Sequence, residues 1–204
     1  MFRNFFDPDN ALMITLSQIT DCILLSLLWL LGCFFVITAG ASCSALYDAV
    51  FHSFRGSDRN CIKRFLATFL RDLKASLIPN ALFLVALWFG GKGMIALWNG
   101  AVYGTYSWAL FAGCALLALT AAGILGILFP LLSRFDNPLP LLLKNTLLLS
   151  LMHLPRTMAL GLLNLGCGFL CLRFIYPLFF LPALASLIST TLLEPMFKPY
   201  MQEK

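Results

Sequence analysis

In the stretch SRFDNPLPLLLKNTLLLSLMHLPRT, residues 133–157, a largely apolar chain gathers Arg134, Asp136, Asn137, Lys144, His153 and Arg156. These residues mark either a site where polar groups converge or a place where the chain leaves a membrane and re-enters it. Thr146, Ser150, His153 and Thr157 recur at i, i+4, i+7 and i+11, one face of a helix, and Asn164 continues that face. Such a stripe would line an aqueous path, or seat the helix on protein or on a membrane surface. Catalysis asks for more. The chain has two histidines, His52 and His153, and nine acidic residues. It carries no GxSxG, HExxH or phosphate-binding glycine loop. The expectation is therefore a non-enzymatic protein with no cofactor.

The elements that must position these residues follow from composition. Of the 204 residues, 60% are hydrophobic and 11% charged, and the mean hydropathy is +0.88. A soluble domain carries roughly a quarter of its residues as charges, so this chain must turn its exterior to lipid. Residues 22–47, 93–133 and 174–193 are free of Asp, Glu, Lys and Arg, as are the shorter runs 75–91 and 157–172. A crossing helix takes about 20 apolar residues, and about 17 at the short limit. A β-barrel is excluded by pattern: its strands alternate apolar and polar residues, whereas CILLSLLWLLGCFFVI is apolar all round.

The expected fold is all-α: a single polytopic transmembrane bundle of about five spans, near 14–39, 75–92, 106–133, 156–172 and 174–193. Positively charged connections stay in the cytoplasm. Arg55, Arg59, Lys63, Arg64, Arg71 and Lys74 fall in the first connection, Arg134, Lys144 and Arg156 in another, and Lys198 and Lys204 at the end. Arg3, Lys92 and Arg173 fall on the other side. This sorting predicts an outside N-terminus and a cytoplasmic C-terminus in a bacterial plasma membrane. The first helix, lacking a signal-peptide pattern, would serve as its own insertion signal. Trp98, Tyr103, Tyr106 and Trp108 form an aromatic belt at the outer connection.

Two cytoplasmic amphipathic helices complete the expectation. In residues 62–74, Ile62, Phe65, Leu66, Phe69, Leu70 and Leu73 make one apolar stripe, with Lys63, Arg64, Arg71 and Lys74 on other faces. That helix should lie in the membrane surface, its basic side toward anionic headgroups of the inner leaflet. In residues 138–153, the preceding DNP is a helix start, with Asp136 or Asn137 as cap. Ala118, Ala122 and Gly126, and likewise Ala185 and Ser189, are small residues at helical spacing that suit helix packing. The seven cysteines read as small apolar packing residues. Cys167 and Cys171 share a helix face, but two thiols without His or carboxylate make a poor metal site. The net charge of +5 follows from the cytoplasmic rim and calls for no nucleic acid.

FFDPDN near the start, LLWLLGCFFVITAGASCSALY at 27–47, FLATFLRDLKASL at 65–77, FPLLSRFDNPLPLLLKNTLLLSLMHLPRT at 129–157 and FKPY at 197–200 together resemble the YesL-like bacterial membrane proteins. One departure is Phe35, where that family often carries proline. Members are biochemically uncharacterised and often encoded beside sugar-import and glycan-degradation genes. The resemblance implies an accessory or regulatory role in carbohydrate uptake, with permease subunits of an ATP-driven (ABC) importer as partners. Arg64, Arg134, Asp136, Lys144, His153 and Arg156 would then dock the partner or tie the connections together, and headgroup contact is the plainer role for each. The second expectation is a small-solute transporter or channel formed by a homo-oligomer, with Thr146, Ser150, His153, Thr157 and Asn164 along its path.

Overall fold

The computed structural model describes residues 11–55, 60–104, 108–135, 138–174 and 176–201. Among these residues every regular element is helical. In order they are α1 (Ala11–Phe34), α2 (Ala39–Arg55), α3 (Cys61–Val102), α4 (Trp108–Arg134), α5 (Leu139–Met152), α6 (Leu154–Arg173) and α7 (Leu181–Met201). Short 3-10 turns occupy Val36–Thr38 and Tyr176–Phe179. Four helices are long and apolar enough to cross a membrane: α1 from Leu16, α3, α4 and α6. The expected span at 174–193 is not one helix. Pro177 lies in the second 3-10 turn, α7 begins only at Leu181, and its apolar part, Leu181–Phe197, is short for a crossing.

Two further corrections concern the N-terminal half. The run 14–39 ends as a helix at Phe34, although no proline stands there. Thr38 turns its hydroxyl back onto the carbonyls of Gly32 and Phe35, closing the chain into a tight turn. Residues 39–55, expected as part of a connection, form α2. This helix is buried along most of its length because AGASCSA is small enough to sit between neighbours.

The separate surface helix at 62–74 and the span at 75–92 are one element, α3, which runs unbroken through Pro79. Its 42 residues make a rod of about 63 Å, some twice the roughly 30 Å hydrocarbon layer. Of the apolar stripe at 62–73 only Phe65 is buried, and the edge that turns inward is largely polar. Ile62, Leu66 and Leu70 are exposed, whereas Thr68, Asp72, Ser76 and Asn80 are buried together with Cys61 and Phe65. With an apolar solvent outside, the polar stripe is the one that must turn inward.

The core consists of two apolar clusters that share α2. One joins Tyr47 to Ile127, Leu128, Leu131 and Leu132 of α4, Leu142 and Leu149 of α5, and Leu193, Met196 and Phe197 of α7. The other joins Ala45, Leu46, Ala49 and Val50 to Leu25 of α1, Cys61 and Phe65 of α3, and Ala183 of α7. Helices α4 and α6 touch at glycines. A Cβ at Gly123 would overlap the Thr157 carbonyl, and one at Gly161 would overlap the Leu119 carbonyl. The α4 contact face therefore runs through Leu119, Gly123 and Gly126, while Ala118, expected on that face, is exposed. Ala185 and Ser189 of α7 are buried.

Close approach at these glycines gives a direct test. Gly123→Ala and Gly161→Ala should each lower stability by about 1–3 kcal/mol, the usual cost of overpacking. Gly90→Ala, where a Cβ meets nothing within 4 Å, should be neutral or slightly stabilising. Thermal unfolding of the three variants in one detergent checks the contrast.

Candidate functional site: the polar seam around α2

On α2, Ser44, Asp48 and His52 stand at four-residue intervals and share one edge. On α3, Arg64, Thr68, Asp72, Ser76 and Asn80 do the same. The two helices run antiparallel, so these edges meet over most of the length of α2. Asp48 is 3% exposed. It accepts hydrogen bonds from Arg64 Nε at 2.8 Å and Thr68 Oγ1 at 2.8 Å. His52 Nδ1 lies 2.9 Å from the Asp48 carbonyl oxygen and 3.2 Å from its carboxylate. Arg64 Nη2 is 3.0 Å from His52 Nε2. A guanidinium can only donate, so Nε2 accepts and the ring proton sits on Nδ1, aimed at Asp48. Burial alone would raise the Asp48 carboxyl's pKa. The bonds from Arg64 and Thr68, with the guanidinium's charge, outweigh it and hold the group below the usual carboxylate range.

One turn further along, Asp72 accepts from the Ser44 hydroxyl and from Arg71 Nε at 2.7 Å. The same arginine reaches the Ser133 carbonyl at 3.0 Å, in the last turn of α4. A cation is favourable there because the helix dipole leaves negative charge at that end. On the neighbouring edge of α2, Tyr47 donates its hydroxyl to Glu194 Oε1 at 3.3 Å. Arg134 Nη2 meets the same oxygen at 2.6 Å, and its guanidinium lies 3.6 Å over the Phe51 ring. Burial, then the charge of Glu194, pushes the Tyr47 phenol's pKa upward, so it remains a donor.

Both ends of the seam are closed by polar contacts. Asn80 Nδ2 donates to the carbonyls of Val36 and Ile37, each at 2.8 Å, in the turn between α1 and α2. At the far end Asp21 accepts from Ser53 Oγ at 3.0 Å and from Cys61 Sγ at 3.4 Å. The seam thus links α1, α2, α3, α4 and α7 through carboxylates, three of which are matched by an arginine. Its chemistry is cohesion: every acid in it already holds hydrogen bonds. A separate apolar groove of about 280 Å³ lies between α4, α5 and α7, lined by Leu131, Phe135, Leu141, Asn145, Leu148, Leu149 and Phe197.

Of the residues singled out in the sequence, Arg64 and Arg134 belong to the seam but serve different carboxylates. Asp136 lies outside the described residues, as does Asn137. Lys144 and Arg156 are exposed on α5 and α6, and His153 is half-buried at their junction, its amide on the Leu149 carbonyl at 3.2 Å. The stripe is divided at that junction. Thr146, Ser150 and Thr157 are buried and turn their hydroxyls onto the carbonyls of Leu142, Thr146 and Ser150, whereas Asn164 is exposed.

Sequence reasoning passed over Ser44, Tyr47, Asp48, Thr68 and Asp72. The four-residue recurrence of polar residues through 44–52 and 64–80 was the signal that could have found most of them. Residues 22–91, which hold most of the seam, match a family model described as Protein of unknown function, DUF624. No curated protein and no solved structure matches the chain.

Breaking a buried ion pair strands its partner. Glu194→Gln, which leaves the largely buried Arg134 unmatched, should cost about 3–5 kcal/mol. Asp48→Asn should cost less, about 1–3 kcal/mol, because Arg64 is more than a third exposed and can turn to solvent. Lys144→Ala should stay within about 0.5 kcal/mol of the parent. Unfolding midpoints in detergent rank the three.

Proposed function

We propose that this chain is a non-enzymatic integral membrane protein acting as an accessory or regulatory subunit of a carbohydrate uptake system, bound to permease subunits of an ATP-driven importer. The observation that supports a docking role is the division of its charges. Among the described residues Asp21, Asp48, Asp72 and Glu194 all hold hydrogen bonds within the bundle. Lys63 and Lys74 of α3, Lys144 of α5 and Arg156 of α6 stand exposed. The interior polarity makes a rigid scaffold, and the unmatched cations form a rim for an acidic partner surface or for anionic headgroups. The carbohydrate context rests on the likeness of the motifs at 27–47 and 129–157 to the YesL-like proteins.

A solute path is the weaker reading. It would run along Thr146, Ser150 and Thr157, whose hydroxyls are engaged with carbonyls of α5 and its junction with α6.

Affinity purification from a mild detergent, followed by mass spectrometry, tests the docking role. Importer permease subunits should co-purify with the parent chain. The Lys144→Glu, Arg156→Glu double variant should lose them while its unfolding midpoint stays unchanged. Recovery of the parent chain free of importer subunits contradicts the proposal.

A further inference from the structure

Helices α1 and α2 lie side by side and antiparallel. Near their turn, a Cβ on Gly32 would meet Ser42, and Trp29 Nε1 donates to Cys43 Sγ at 3.4 Å. At the other end Asp21 holds Ser53 at 3.0 Å and Cys61, the first residue of α3, at 3.4 Å. The early part of α1, the end of α2 and the start of α3 therefore meet in one place. A helix that crossed once from outside to inside could not bring Asp21 beside Ser53 while the segment after it remained inside.

The turn itself is greasy and uncovered. Phe34, Phe35, Val36 and Ile37 are 80%, 68%, 55% and 64% exposed. Three of their carbonyls are nevertheless satisfied: Asn80 takes those of Val36 and Ile37, and Thr38 that of Phe35. Irregular backbone is tolerated at membrane depth only when its polar groups are satisfied in this way. Beyond Asn80, α3 continues through residues 81–102, so the tip of the α1–α2 hairpin falls well short of the far end of α3. There α3 pairs with α4, whose Trp108 and Phe111 pack on Trp98. The α3–α4 pair therefore runs past the tip of the α1–α2 hairpin on both sides, from Arg71 with Ser133 to Trp98 with Trp108.

Charge assigns the sides. Arg55, Lys63 and Arg64 flank the place where α1, α2 and α3 meet, Arg134 at the end of α4 lies over Phe51 on the same side, and Arg71 and Lys74 follow along α3 before Asn80. Trp98, Tyr103 and Trp108 gather at the opposite end. Basic residues mark the cytoplasmic side.

We propose that α1–α2 is a re-entrant hairpin: it enters the bilayer from the cytoplasmic face and leaves by the same face, with Phe34–Ile37 among the acyl chains. The start of α1 then lies in the cytoplasm, opposite to the side that a single crossing by residues 14–39 would give it.

Single-cysteine variants in a cysteine-free background test this with a membrane-impermeant maleimide, applied to sealed vesicles of known sidedness. Ser17→Cys and Arg55→Cys should react only when the cytoplasmic face is exposed, Tyr103→Cys only from the outside, and Phe35→Cys from neither side. Labelling of Ser17→Cys and Arg55→Cys from opposite sides overturns the hairpin. So does labelling of Phe35→Cys from either face. Should the cysteine-free chain fail to fold, an epitope added before Met1 of the parent chain decides the sidedness. Antibody should reach it only after cells are permeabilised, and staining of intact cells overturns the proposal.

Discussion

Hydrocarbon offers no hydrogen bonds, so a polar group this chain carries into its interior is costly unless it finds a partner there. That constraint explains why α2 is the hub. It is short, built largely from Ala, Gly and Ser in its first turns, and it carries Ser44, Tyr47 and Asp48 into the middle of the bundle. They are answered from two directions: Ser44 and Asp48 by α3, Tyr47 by α7. An arginine reaches Asp48, Asp72 and Glu194 in turn. Removing one partner of a pair would leave the other's charge stranded in an apolar medium, which is far costlier than never having placed the pair there.

The same constraint sets the handedness of amphipathicity in α3. Its apolar stripe looks like that of a surface helix seated on a core, but the surroundings are inverted. Leu66 and Leu70 face outward, and the polar row from Arg64 to Asn80 faces α2. Apolar packing then fills what the ties leave. Glycines at 123 and 161 let α4 and α6 approach until backbone meets backbone, and dispersion replaces the hydrophobic drive that lipid cannot supply.

The helical class was legible in the charge-free runs, which no soluble fold could cover, and the DNP step announced a helix start ahead of Leu139. The α2 helix was not legible as an element. AGASCSALYDAVFHSFR is too polar to read as a span and too small in side chain to show an apolar stripe, so it passed for a connection. Periodicity located the two faces of α3 but not what each would meet. The tie between Arg134 and Glu194 joins residues sixty positions apart, and no local spacing encodes it. The stripe from Thr146 to Asn164 crosses the break at His153, which separates its two parts.

Whether the paired charges hold the bundle together is measured most directly by a double-mutant cycle on Arg134 and Glu194, using Arg134→Met, Glu194→Gln and the double variant, with unfolding free energies taken in one detergent. A coupling of about 1–3 kcal/mol, with the double variant more stable than the sum of the single losses allows, is the result the seam requires. Additivity within about 0.5 kcal/mol would contradict it, leaving the pair as a contact that contributes nothing to holding α7 on α4 and α2.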